Sequence, residues 1–104
     1  MAKFLFVYHG GSVPETDADK ARVMDAWGQW FGKMGAAVVD GGNPVGMSST
    51  VNSDASVTDN GGANPVSGYS LIEAKGLDEA LAHAKACPIL ANGGSVEVAE
   101  TIDM

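Results

Sequence analysis

Hydrophobic residues run without a polar break from Phe4 to Tyr8 in the opening segment KFLFVYH, a pattern that predicts a strand covered on both faces. Alternation along it puts Phe4, Phe6 and Tyr8 on one face and Leu5, Val7 and His9 on the other. The period then changes. Between Ala18 and Met34, the residues Val23, Trp27, Trp30, Phe31 and Met34 recur at helical spacing, with Met24 beside the stripe, and predict an amphipathic helix. Thr16 followed by Asp19 is a variant of the capping box at its start, and Gly35 closes it as a C-cap.

The next segment, AAVVDGG, predicts a short second strand. From Met47 to Asp59 the chain is polar and β-branched around the turn-forming NSDA, which predicts a solvent-exposed hairpin. SGYSLIEA follows as a strand with Tyr69, Leu71 and Glu73 on one side and Ser70, Ile72 and Ala74 on the other. A second helix is expected from Leu77 to Cys87. Leu77, Ala80, Leu81 and Ala84 share one of its faces, Asp78 and Glu79 complement the dipole at its start, and Pro88 ends it. The alternating GGSVEVAETID closes the chain as a strand. The order is that of an α+β, ferredoxin-like β-α-β-β-α-β domain with an inserted hairpin, spanning residues 1–104. Such a sheet carries both helices on one face. Leu5 and Val7 make the other face apolar, and a second copy of the chain is its simplest cover.

Composition sharpens this picture. At 104 residues, with 14 glycines and 7% aromatic residues, the chain can build only a modest core, which association into a homodimer would enlarge. Six basic residues against thirteen acidic ones give a formal net charge of -7, which opposes nucleic acid and anionic lipid as partners. The lone Cys87 cannot form an internal disulfide, no Cys/His spacing suggests a metal, and no cofactor fingerprint is present, so a reducing, cytoplasmic setting is expected. The first apolar run is too short for a signal-peptide core, and no stretch approaches the roughly 20 apolar residues of a membrane helix.

One phrase is written twice: DGGNPVG from Asp40 and DNGGANPVSG from Asp59. Neither copy is followed by the helix that a phosphate cradle needs, whereas Asn-Gly and Asn-Pro both specify turns. The duplication is therefore expected to aim two neighbouring strands. Small residues in the same turns, Gly41 among them, would also let a ligand approach the backbone at a pocket mouth.

The residues able to carry chemistry are few. His9 ends the first strand before two glycines, either as a functional group at a sheet-edge pocket or as an ordinary hydrogen-bonded histidine, and Asp40 ends the second, either as a functional carboxylate or as the cap of its own turn. In the ferredoxin-like order these ends lie on one edge, roughly 10 Å apart at the backbone, so His9 and Asp40 are the candidate acid-base pair. Tyr8, Trp27, Gly41 and Tyr69 are the candidate ligand-binding residues, with hydroxyls, an indole and bare backbone to offer a cavity; the other reading has the tyrosines packed with a wet tip and Trp27 in the core. His83 is expected to be solvated. Cys87, at a helix end where the dipole is negative, is expected to have a raised thiol pKa and no nucleophilic role.

The run SGYSLIEAKGLDEALAHAKACPILANGGSVEVAETIDM, residues 67–104, resembles the closing segment of the YCII-related proteins, especially their DGPF-containing branch, and the opening FLFVYHG fits as well. The resemblance implies a small bacterial protein whose ferredoxin-like sheets meet face to face in a dimeric α/β barrel. Some family members carry a histidine in the first helix, proposed to pair with an aspartate; Trp27 stands at that place here, and DNGGANPV replaces the D-G-P-F phrase. Two functions follow as expectations. One is a pocket for a small, partly apolar molecule between the sheets, with or without acid-base catalysis. The other is a non-catalytic interaction module, partnering a regulatory protein such as an alternative sigma factor.

Overall fold

A computed structural model describes all of residues 1–104. Strand β1 (Ala2–His9) leads to helix α1 (Asp17–Met34), then a 3-10 turn and the short strand β2 (Val38–Asp40). A hairpin of β3 (Thr50–Val51) and β4 (Val57–Thr58) precedes β5 (Val66–Ala74), helix α2 (Leu77–Lys85), a 3-10 turn at Pro88–Asn92 and β6 (Ser95–Glu100). The four long-range strands form one antiparallel sheet in the order β2-β5-β1-β6, compatible with the ferredoxin-like arrangement, and β3-β4 form a separate pair. No helix is long and apolar enough to cross a membrane.

Local chemistry explains the element ends. The Thr16 hydroxyl accepts the Asp19 amide at 3.0 Å, which satisfies one of the free N–H groups of the first turn of α1. At the other end Gly35 adopts φ 56 and returns its N–H to the Phe31 carbonyl. Helix α2 stops at Lys85, two residues short of the expected Cys87, and its terminal carbonyls are used at once: that of His83 accepts the Trp30 indole N–H at 2.9 Å and the Ala86 amide at 3.2 Å.

The core lies between the sheet and the two helices. Phe4, Phe6 and Ile72 are fully buried there, each worth roughly 1.5 to 3 kcal/mol of hydrophobic stabilisation. The helices meet the sheet differently. On α2 the buried positions are Ala80 and Ala84, whose small side chains let the helix sit close. The expected apolar face is narrower than its sequence pattern, since Leu77 and Leu81 remain 52% and 37% exposed at its flanks. Helix α1 instead presents large rings: Trp30 stacks on Phe6 with centroids 6.3 Å apart, and Trp27 stands edge-on to Tyr8 at 5.0 Å. These rings act as spacers. A cleft opens beside them.

The opposite face of the sheet carries no helix. Leu5 and Val7 of β1 stand there beside Tyr69 and Leu71 of β5, their pairing partners in register. Leu5 and Tyr69 are more than a third exposed, and the whole molecule is a slab measuring 43 × 43 × 18 Å.

Candidate functional site

The cleft has a volume of about 680 Å³, within the range of small-molecule sites. Helix α1 supplies Val23, Met24, Trp27, Gly28 and Phe31 to one wall. The turn from Gly41 to Pro44 and the start of β5 from Ser67 to Tyr69 supply the other, and Tyr8 of β1 reaches it from the core. Tyr8, Trp27, Gly41 and Tyr69, which were scattered along the sequence, all border this one space. A groove of about 380 Å³ past Trp30, bordered by Arg22 and Lys33, contains none of them.

Two of the lining residues are joined by a buried hydrogen-bond chain. The Tyr8 hydroxyl donates to Ser70 Oγ at 2.7 Å, and Ser70 donates to the Gly41 carbonyl at 2.6 Å. Ser70, the one polar side chain in the core, is thus satisfied in both roles. Burial raises the Tyr8 pKa far above that of a free phenol, against the Ser70 hydrogen bond, which lowers it. At neutral pH Tyr8 is a phenol and a donor. Its chain fixes the turn that forms the mouth.

That turn and its twin share a conformation. Asp40 Oδ1 accepts the Gly42 amide at 2.8 Å, and Asn60 Oδ1 accepts the Gly62 amide at 2.9 Å, each an Asx turn with the second glycine at positive φ, 69 and 87. The repeated phrase therefore specifies the same turn twice. Beyond the turns the copies diverge. The first continues alongside β5, with Pro44 bridged to Gly68 and the Val45 amide bonded to the Ser67 carbonyl at 3.0 Å. The second turns its Asn64 and Pro65 carbonyls toward His9, at 3.0 and 3.2 Å from Nδ1.

His9 and Asp40 are not brought together. Asp40 is engaged with its own turn, and the partner of His9 is Glu97 of β6, whose Oε1 lies 2.9 Å from Nε2. The physical reason is strand order. Strand β5 separates β1 from β2, whereas β6 is hydrogen-bonded directly to β1. Alternation in SVEVAE places Glu97 on the outer face with His9, so the closing strand held the signal for this pair. Neither His9 nor Asp40 borders the cleft. With both ring nitrogens facing acceptors, the His9 pKa is raised, first by the hydrogen bond to Glu97 and then by the two carbonyls.

Elsewhere, His83 Nε2 lies 4.0 Å from Glu79 one helical turn earlier. Cys87 is buried, and loss of solvent pushes its thiol pKa up to about 11, against the hydrogen bond to the Ile89 backbone, which lowers it. No three His, Cys, Asp or Glu side chains converge as a metal-binding group. No protein-family model, curated protein or solved structure matches the chain.

Proposed function

We propose that this protein binds a small, partly apolar molecule in the cleft between α1 and the Gly41–Pro44 turn. The observation carrying the proposal is the meeting of Tyr8, Trp27, Gly41 and Tyr69 around one space of about 680 Å³. Aromatic rings offer it apolar area, and exposed turn backbone offers hydrogen bonds. Acid-base catalysis has no poised group in the cleft, because the Tyr8 hydroxyl gives its one proton to Ser70 and the His9–Glu97 pair stands on the other face of the sheet. The binding unit is a homodimer joined through the outer sheet face around Leu5, Val7 and Leu71, the α/β barrel arrangement that resemblance to the YCII-related proteins implies. The setting is cytoplasmic, in keeping with the single free cysteine.

A fragment mixture followed by 1H–15N NMR tests the site. Binding should move the Trp27 indole resonance together with the Gly41 and Gly42 amides, and Trp27→Ala should abolish the response. Fragments that perturb only Leu5, Val7 and Leu71 would overturn it. That outcome would favour the second reading, an interaction module whose apolar sheet face is covered by a regulatory protein such as a sigma factor.

A further inference from the structure

We infer that the ligand of this cleft is an uncharged, planar aromatic molecule carrying one hydrogen-bonding group. The inference rests on the cleft being a binding site and adds the class of molecule it takes.

Charge comes first. No Asp, Glu, Lys, Arg or His borders the cleft, although such residues make up a large share of the exposed surface. A carboxylate, phosphate or ammonium entering it would lose hydration and meet no opposite charge. The net charge of -7 adds long-range repulsion for any anion. A neutral molecule escapes both penalties.

Shape comes next. On the helix side Trp27 is tilted 40° to Phe31 at 5.9 Å and stands at 83° to Tyr8. The facing wall contains Gly41, Gly42 and Gly68 among Asn43, Pro44, Ser67 and Tyr69, so bare backbone makes up part of the surface that an occupant meets. Rings on one side and a glycine-rich wall on the other favour a flat occupant. Gly28 bears on the size of the opening. A glycine inside a helix costs stability relative to alanine, and packing does not demand this one, since a Cβ there would meet nothing within 4 Å. Gly28 borders the cleft, so a large side chain there would narrow its opening.

The polar group follows from Ser67. Its hydroxyl is out of contact with solvent and has no hydrogen-bond partner, although the residue borders the cleft. The hydroxyl does not itself face the open cleft, so it gains a partner there only after rotating about χ1 to meet a ligand group. A phenolic hydroxyl or ring carbonyl would serve.

The test is an NMR titration of the whole protein, read at the Trp27 indole, with four probes: 2-naphthol, naphthalene, decahydro-2-naphthol and 2-naphthoate. We expect 2-naphthol to bind, and each of the other three to bind at least about tenfold more weakly, a loss of one decade in Kd. Gly28→Leu should remove 2-naphthol binding without lowering Tm, whereas Gly32→Ala, which has equally open space but lies outside the cleft, should raise Tm and leave binding unchanged. If 2-naphthoate binds as tightly as 2-naphthol, the neutral class is wrong while the cleft stands. Equal binding of decahydro-2-naphthol would overturn planarity, and equal binding of naphthalene would overturn the hydrogen-bonding group. If no probe moves Trp27, the cleft itself is not a binding site and the inference falls with it.

Discussion

The imidazole of His9 and the carboxylate of Glu97, 88 residues apart in sequence, meet at 2.9 Å across neighbouring strands on the sheet face without helices. His9 also faces the Asn64 and Pro65 carbonyls, so its charged form alone can donate from both nitrogens at once. The folded-state pKa is therefore raised. The stability this contributes is fully present below the unfolded value near 6.5 and is lost as pH rises through the folded pKa, while Glu97 stays ionised.

Glu97→Gln should lower the His9 pKa in an NMR titration, and Asp40→Asn should leave it unchanged. The stability gap between the natural protein and Glu97→Gln should narrow as pH is raised through that titration. A His9 pKa that follows Asp40 rather than Glu97 would contradict the geometry.

The twin turns make unequal demands on their glycines. A Cβ on Gly42 would run into the Tyr69 carbonyl, whereas one on Gly62 would meet open space at a similar positive φ. Gly62→Ala should cost about 1 kcal/mol from the left-handed backbone alone. Gly42→Ala should cost about 3 kcal/mol or more, since β5 must also shift. Urea denaturation of both variants gives the comparison, and equal losses would show that the two turns are not positioned as described.

The Tyr8–Ser70–Gly41 chain predicts another asymmetry. Ser70→Ala leaves a buried phenol and a carbonyl without partners and should cost roughly 1 to 3 kcal/mol. Tyr8→Phe keeps the Ser70 bond to Gly41 and should cost about 1 kcal/mol. Equilibrium unfolding that ranked them in reverse would mean that Tyr8, not Ser70, holds the turn.

In the β3-β4 hairpin, Ala55 has φ 71, where a side chain is strained. Ala55→Gly should stabilise the protein by up to about 1 kcal/mol. Val51 and Val57 are 70% and 61% exposed, and truncating either to alanine should cost below about 1 kcal/mol. Thermal denaturation of the three variants checks this, and a several-fold larger loss at either valine would place the hairpin in a packed interface.

Much of the fold was legible because its signals are local. The Phe4, Phe6 and Tyr8 alternation, the Thr16 cap and the Gly35 stop each act within a few residues, and the structure repeats them. What misled were choices settled between elements. Leu77 and Leu81 fit a helical stripe, yet close approach of α2 rests on Ala80 and Ala84 and leaves the leucines at the margins. His9 and Asp40 both end strands, but partner choice belongs to strand adjacency, and that favours Glu97. The four cleft residues lie far apart in the sequence. Their convergence depends on ring size in α1, which holds the helix away from the turn.

The Pro44–Gly68 bridge and the Val45–Ser67 hydrogen bond tie the chain together where it leaves the sheet and where it returns. Everything between Gly46 and Gly62 is consequently a detour closed at its neck, carrying its own two-stranded pair. The closure cost of such a detour grows only with the logarithm of its length. This makes the segment a natural place for splicing: a foreign epitope or a small reporter could replace the hairpin tip, and the four-stranded sheet would register little more than a longer loop.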